Sequence, residues 1–454
     1  MNGNLKIASI LFVLVLWGSM MVSYPPLLVL GALPFILINR IFLVPFMILV
    51  PLIEGGFILP FPVYTETLTL LVIAPLLAFD IFVNTKNKAF YDSRYVFIYI
   101  AFLLMAIFGS FVAFNSAEIE IKNTTIIKSI SDVIGRIAFF FFLYVAYVQL
   151  GIHKIRMGLQ VMQFISVPFF IGFFIYMNYR GIIYGYQQYL NFGYTSHGTW
   201  SVSLIGISAY LFYRIIPKGR SFSQIFWAMT AYIMSIWIVI SSDSRNGLLS
   251  LVIMLLFAVL ILRGTSMSAP RALVLFFAGL ASFIFVINSW NKPLVVEFRH
   301  QFSSSEALDE FSNSRTSLWA IGIRGFLEKP LTGHGGAPQI TRQYARKYIG
   351  KDLVLHNTFL EVAFQYGIVG LFLYLLLQAR ILNGFFEIQK RITKRPLEED
   401  GVFLLPFITY FSFIFSALFI SWLWRSIVWG HISLLLAIIT LHQKSIRESP
   451  DDAS

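Results

Sequence analysis

Apolar segments of membrane-spanning length recur along this chain from residue 7 to residue 442, and only one long polar segment interrupts them. Of the 454 residues, 57% are hydrophobic and 12% are charged. Water-soluble domains are about 45–50% apolar and about one quarter charged, so a soluble core could not accommodate this composition. The sequence therefore predicts an all-α, polytopic membrane protein.

A transmembrane helix needs about 20 predominantly apolar residues. By this criterion we predict about 12 to 14 spans in one membrane domain covering residues 1–454. The clear spans are 64–84, 94–114, 131–150, 159–178, 199–216, 222–241, 247–262, 271–289, 357–379, 403–422 and 427–442. We interpret 7–22 as a retained first helix without a cleavage site, whereas 26–38 and 41–53 are either two thin crossings or a bent hairpin.

The net charge of +12 does not indicate nucleic-acid binding, because Lys and Arg fall in short clusters between apolar runs. If the spans alternate, six basic segments share one side, which the positive-inside rule assigns to the cytoplasm together with both termini. They contain Lys86, Lys88 and Arg94; Lys154 and Arg156; Arg214, Lys218 and Arg220; Arg263 and Arg271; Arg380, Lys390, Arg391, Lys394 and Arg395; and Lys444 and Arg447. The opposite, external side then carries 115–130, 179–198, 242–246, 290–356 and 423–426.

The external segment 290–356 is the one long loop, and its apolar residues argue against disorder. The stretch from Ser314 to Leu327 has an apolar face at helical spacing, with Ser312 or Ser314 as cap, so we expect short helices folded back on the membrane. The loop has an excess of Lys and Arg where the positive-inside rule predicts none, and Arg324 is one candidate ligand among them. A bound anion explains the excess, because guanidinium groups grip phosphate oxygens in pairs. For any single residue, ordinary surface charge is the alternative.

Arg245 lies in the polar cluster Ser241–Gly247, between two spans that leave almost no room for a loop. A charge at membrane depth usually marks a functional site or a buried pair. The alternative is that Arg245 snorkels to the interface or pairs with Asp243.

His356 opens the next span, with Asn357 and Glu361 following it as candidate substrate-binding side chains. A histidine at this external helix end could accept a proton from a hydroxyl group near neutral pH. It could equally be a hydrogen-bonding group at a helix terminus.

Gly333, His334 and Gly335 belong to a glycine-rich stretch that predicts exposed amides able to contact a phosphate or substrate chain. The stretch lacks the strand, Lys and spacing of a nucleotide-binding loop. There is no cysteine, and the seven histidines show no His-x-x-x-His pair, so neither a metal nor a cofactor is expected.

Tyr186 and Tyr189 lie in a tyrosine-rich external loop whose aromatic faces and amide donors suit stacking on sugar rings. The aromatic belt of any membrane interface gives the same enrichment.

Three motifs resemble the O-antigen ligase and O-antigen polymerase family of bacterial envelope proteins. They are Ser244–Gly247 opening a span; Ser314–Trp319 followed by Pro330–Gly335; and His356–Glu361 followed by Tyr366–Gly370. The resemblance covers roughly residues 235–375.

The resemblance implies a fold related to the lipid-linked (GT-C-like) glycosyltransferases and a metal-independent transfer of a glycan from undecaprenyl pyrophosphate to a saccharide. It places Arg245 and Arg315 on the donor pyrophosphate and makes His356 the base that activates the acceptor hydroxyl. It further implies the bacterial inner membrane with a periplasmic active face, membrane lipid as a partner, and a flippase and chain-length regulator as possible partners.

Two alternatives remain open at this point. The acceptor could be a growing polysaccharide, as in a polymerase, or lipid A core, as in a ligase; we favour the polymerase slightly because the tyrosine-rich loop suits a saccharide. A transporter or flippase should instead carry ionisable sites near the bilayer midplane, where Asp80 is the main acidic candidate.

Overall fold

The computed structural model describes most of the chain as helices. The described residues are 3–21, 26–49, 56–58, 62–64, 72–79, 94–115, 123–179, 197–215, 220–241, 245–262, 315–336, 338–394, 400–419 and 426–448. The predicted all-α membrane class is confirmed, with one small addition, an antiparallel pair of strands β1 (Gly56–Ile58) and β2 (Pro62–Tyr64). The predicted span 271–289, Asp80 and the tyrosine-rich loop fall outside the described residues.

Most described helices coincide with predicted spans. In chain order they are α1 (Gly3–Met21), α2 (Pro26–Ile38), α3 (Leu43–Leu49), α4 (72–79), α5 (Arg94–Asn115), α6 (Asn123–Tyr179), α7 (His197–Ile215), α8 (Phe222–Ser241), α9 (Arg245–Leu262), α10 (Arg315–Glu328), α11 (Pro338–Ile349), α12 (Thr358–Lys394), α13 (Leu405–Ser416) and α14 (Ser426–Glu448). Short 3-10 helices, Arg40–Phe42 and Asp400–Leu404, precede α3 and α13.

Four of the described helical segments are long and apolar enough to cross a membrane: Tyr95–Ala113, Val133–Tyr176, Phe222–Val239 and Thr358–Ile392. Shorter apolar helices accompany them at Gly3–Gly18, Val29–Ile38, Arg40–Leu49, Ser201–Phe212, Leu249–Ala258 and Gly401–Ser416.

Two long helices are broken at glycines with positive φ. Gly151 (φ 78°, ψ 161°) interrupts α6 between the two spans predicted there, just before the basic residues Lys154 and Arg156. Gly367 (φ 65°, ψ −160°) divides α12 into a short first segment, 358–366, and a long second segment, 368–394. The predicted span 357–379 is therefore not one continuous helix, because a right-handed helix needs φ near about −63° and ψ near about −42° at every residue.

In the N-terminal region the sequence leaves two thin crossings or a bent hairpin open for 26–38 and 41–53, and the structure shows two short helices there. Arg40–Leu49 is only ten residues of helix, about 15 Å long, which is half the hydrocarbon thickness of about 30 Å. Asn39 separates it from α2 and accepts a hydrogen bond from the Ile41 amide at 3.1 Å. Tyr64, at the start of the predicted span 64–84, pairs with Gly56 in the small sheet instead.

The helix α14 packs against α6, α12 and α13. Trp429 stacks on Phe140 with ring centroids 6.2 Å apart and meets Phe102 edge-to-face at 5.3 Å. The Ser433 hydroxyl hydrogen-bonds the Tyr99 hydroxyl at 2.9 Å. Such a core is held by close packing and internal hydrogen bonds rather than by the hydrophobic effect, since lipid tails are as apolar as the helices.

Candidate functional site

The described part of the long loop predicted over 290–356 forms two short helices, α10 and α11, that pack against α12. The predicted helix over 314–327 is confirmed at Arg315–Glu328. Two glycines on one face of α10 allow the close approach. A Cβ at Gly322 would lie 2.9 Å from the Leu355 side chain, and a Cβ at Gly325 would lie 2.4 Å from the ring of Phe364. This packing brings the start of α10 to the segment that carries His356.

His356 lies two residues before α12, in a sharp turn of the backbone. Its φ of 51° is the one positive value among the described non-glycine residues. That conformation costs free energy for any side chain larger than glycine, and such strain concentrates at functional sites.

The residues next to His356 hold this turn in place. Asn357 caps α12, because its Oδ1 accepts a hydrogen bond from the Leu360 amide at 3.0 Å. The Thr358 amide donates to the carbonyl oxygen of Ala417, at the end of α13, at 2.8 Å. The structure thus gives Asn357, predicted as a substrate ligand, a structural role as helix cap.

The electrostatic surroundings of His356 keep its imidazole neutral. Burial lowers the pKa of His356 from 6.5 to about 4, and the positive charges of Arg315 and Arg342 act in the same direction. The side chain is only partly exposed. A neutral imidazole at pH 7 can accept a proton, which is what a general base requires.

The two arginines come from different helices. Arg315 is the first residue of α10, where the helix N-terminus also favours negative charge. Arg342 is exposed on α11 and forms no ion pair or hydrogen bond with any other described residue. By contrast, Arg346, one turn later, is paired with Asp352. Arg342 is therefore a cation available to an anionic ligand.

Arg342 was not among the sequence-predicted site residues. It was one of several basic residues of the loop, and its proximity to His356 depends on how α11 packs. The sequence signal that could have found Arg342 was the amphipathic pattern of α11. In this pattern Ile340, Thr341 and Ala345 are buried and Arg342 is exposed.

Arg245 is the first residue of α9, in agreement with its predicted place at the end of a span. Its side chain lies outside the described part of the structure, as do Tyr186 and Tyr189.

Glu361 lies in the first turn of α12 and is 2% exposed. Its Oε1 accepts a hydrogen bond from Gln365 Nε2 at 3.0 Å, and the same nitrogen is 3.5 Å from the Thr341 hydroxyl. Gln365 is fully buried. This chain of polar groups ties α12 to α11, next to Arg342, so Glu361 belongs to the support of the site rather than to its surface.

The glycine-rich stretch is a packing element, and the expectation of exposed amides there is wrong. The amide of Gly333 donates to Lys329, that of His334 to Phe364, that of Gly335 to Gln365 and that of Gly336 to Gly109, all to carbonyl oxygens at 2.8–3.1 Å. These four amides are therefore used by the chain itself and are not available to a phosphate.

Glycine is required at these positions because the glycine-rich stretch packs directly against the backbone of other segments. A Cβ on Gly333 would lie 2.4 Å from the Gln365 carbonyl, and one on Gly335 would lie 2.5 Å from Ala113 Cα. A Cβ on Gly367 would lie 2.4 Å from the Leu331 carbonyl oxygen, and the Ile368 amide donates to Pro330 at 2.7 Å. The stretch is therefore locked between α5 and the break in α12.

His334 is a core residue, which contradicts its predicted place at the substrate. It is 4% exposed, its Nε2 lies 2.9 Å from the Gly325 carbonyl oxygen, and its ring stacks on Phe364 at 4.7 Å. The ring of Tyr344 lies 5.0 Å from that of His334, and the Tyr344 hydroxyl donates to Glu328 at 2.5 Å.

Arg324 lies on the exposed face of α10. Its Nε donates to Glu328 at 3.0 Å, and its guanidinium lies 4.2 Å from the centre of the Tyr348 ring. It is thus engaged on the outer surface, whereas Arg315 and Arg342 are the arginines that act on His356.

Residues 230–375 match the family model described as O-antigen ligase. No curated protein matches the chain.

Proposed function

We propose that this chain is a membrane glycosyltransferase that transfers a glycan from undecaprenyl pyrophosphate to a saccharide acceptor, because residues 230–375 match the family model described as O-antigen ligase. The active face is the external, periplasmic side of the bacterial inner membrane, and the acceptor is a growing polysaccharide. The reaction needs no metal, because arginines meet the charge of the pyrophosphate.

The combination of a neutral histidine and two arginines supports this proposal most strongly. Arg315 and Arg342 both act on His356, so an anion held by them would place its neighbouring atoms beside the imidazole. Arginine is suited to this task because its planar fork binds two phosphate oxygens at once. The resemblance of the Ser244–Gly247 motif to the O-antigen ligase family supports a role for Arg245 at the same pyrophosphate.

The transfer step exchanges one bond for another. The acceptor hydroxyl oxygen attacks the anomeric carbon of the donor glycan, and the bond from that carbon to the pyrophosphate oxygen breaks with its electron pair. His356 accepts the hydroxyl proton, and Arg315 and Arg342 stabilise the negative charge on the departing pyrophosphate. A positioned base of this kind contributes roughly a hundredfold to ten-thousandfold.

The test is glycan transfer by the purified chain in detergent, with a lipid-linked glycan as donor. We expect His356→Asn, Arg315→Gln and Arg342→Gln each to lose at least about a hundredfold in rate, in keeping with a positioned base or charge donor. Asn is the informative replacement for His356 because it tolerates positive φ but cannot take up the proton. Arg346→Gln, which removes a paired arginine one turn from Arg342, is the matched control and should retain activity. An active His356→Asn variant would rule out the proton transfer.

The choice of acceptor is tested in cells. Electrophoresis of envelope glycans from a deletion strain should show single repeats on lipid A if a polymerase is lost, and bare core if a ligase is lost. Transfer by the purified chain would also exclude a protein that only transports the donor.

A further inference from the structure

Three basic side chains from three helices meet at the end of the bundle that the positive-inside pattern assigns to the cytoplasm. They are Arg156 on α6, Arg391 on α12 and His442 on α14, and together with Phe403 we call them the basic cluster. The guanidinium carbon of Arg156 lies 5.5 Å from the centre of the Phe403 ring, and the rings of Phe403 and His442 meet edge-to-face at 6.1 Å. Both arginines interact electrostatically with His442.

Two nitrogen atoms of the basic cluster have no hydrogen-bond acceptor in the part of the chain that the structure describes. Arg391 Nη1 and His442 Nε2 are buried and have no partner among the described residues. The carboxylate one turn before Arg391, that of Glu387, accepts a hydrogen bond from Gln443 Nε2 at 3.0 Å and forms no described ion pair with Arg391. Buried donors without acceptors destabilise a structure, and charged donors do so most. A ligand that presents several anionic oxygens would accept a hydrogen bond from Arg391 Nη1, and a second one from His442 Nε2 in the tautomer that carries the proton there.

The cluster is remote from the proposed transfer site. Arg391 lies 23 residues after Ile368 in α12, and the helical rise between them is about 35 Å. This length matches the distance across a membrane to the opposite headgroup layer.

We propose that the basic cluster binds the phosphate group of an anionic membrane lipid at the cytoplasmic surface. Arginine forks bind phosphate oxygens in pairs, and basic pockets between transmembrane helices on the cytoplasmic side suit anionic headgroups. The lipid would join α6, α12 and α14 at their cytoplasmic ends. The site is separate from glycan transfer and does not depend on the proposed function.

The proposal is tested on the purified, delipidated full chain by following its thermal unfolding midpoint against lipid concentration. Phosphatidylglycerol is the anionic probe, phosphatidylcholine the zwitterionic one, and inorganic phosphate tests whether the phosphate alone suffices. We expect phosphatidylglycerol to raise the midpoint saturably, and Arg391→Gln to weaken its apparent affinity about tenfold or more, as loss of a charge-assisted hydrogen bond implies. Lys390→Gln, the same charge change at the adjacent exposed residue, should behave as wild type.

Each outcome bears on the proposal. Arg391→Lys keeps the charge without the fork and should bind with intermediate affinity, and it serves if Arg391→Gln does not yield a folded chain. If inorganic phosphate reproduces the effect at comparable concentrations, the site holds phosphate and the lipid source is wrong. Equal phosphatidylglycerol affinity in Arg391→Gln and Lys390→Gln, or no shift in wild type, would overturn the site itself.

Discussion

The acid side of the pH profile tests His356 directly. Its pKa is lowered to about 4, and only the neutral imidazole can accept a proton. At pH 5 the neutral fraction is about 90% for a pKa of about 4, but about 3% for an ordinary histidine with a pKa near 6.5. Because a depressed pKa keeps the base available at lower pH, we expect kcat/KM to change less than about twofold between pH 7 and pH 5, and to fall as the pH drops through 4.

Arg342→Gln perturbs this profile in a defined direction. The variant removes one of the positive charges that lower the His356 pKa, so the acid limb should move to higher pH without passing 6.5. Arg346→Gln removes an arginine of the same helix that does not act on His356, and should leave the limb in place. Initial rates at low donor concentration between pH 4 and pH 8, corrected for irreversible loss of activity at each pH, give the profile of the free enzyme.

The donor itself should alter the profile. A pyrophosphate bound by Arg315 and Arg342 offsets their charges, so the acid limb of kcat, measured at saturating donor, should lie at higher pH than that of kcat/KM. A wild-type limb of kcat/KM near pH 6.5 would refute the reasoning from burial and charge. An equal shift of the acid limb of kcat/KM in Arg342→Gln and in Arg346→Gln would also refute it.

Three further outcomes follow from the packing of the site. Gly367→Ala should lower the thermal unfolding midpoint in detergent by more than Gly350→Ala. Both glycines have positive φ, so either substitution costs about 1 kcal/mol or more. Only at position 367 would the added Cβ also collide with the Leu331 carbonyl. Asn357→Ala should destabilise the chain by about 1 kcal/mol through the lost cap, with Asn357→Ser restoring most of it in the same unfolding measurement. Arg324→Gln should keep the transfer rate within about tenfold, whereas Arg315→Gln should not, and equal losses would show that both touch the substrate.

Most of the helices could be predicted from the sequence. Apolar runs as long as Arg94–Asn115 and Phe222–Ser241 have few structural alternatives to a helix inside a membrane. The helix Arg315–Glu328 was predictable from its periodic apolar face. The break at Gly367 was not, because glycine is common in transmembrane helices and only the contact with Leu331 demands it.

The site could be predicted only in part. His356 and Arg315 stand in recognisable motifs, and the structure brings them together. The amides of the glycine-rich stretch were assigned to a ligand because glycine suits both phosphate binding and close backbone packing. Only the positions of Gly109 and Phe364 decide between these uses, and neither is near the stretch in sequence.

The Gly336 amide donates a hydrogen bond to the Gly109 carbonyl oxygen, and the Thr358 amide donates one to the Ala417 carbonyl oxygen. Both partners lie outside residues 230–375, so the segment that similarity marks as a unit is not a unit of folding. During synthesis α5 emerges long before the stretch it supports, and α13 emerges after it. A ribosome must therefore complete almost the whole bundle before His356 reaches its final position, and an isolated 230–375 fragment would lack both carbonyls that hold the site.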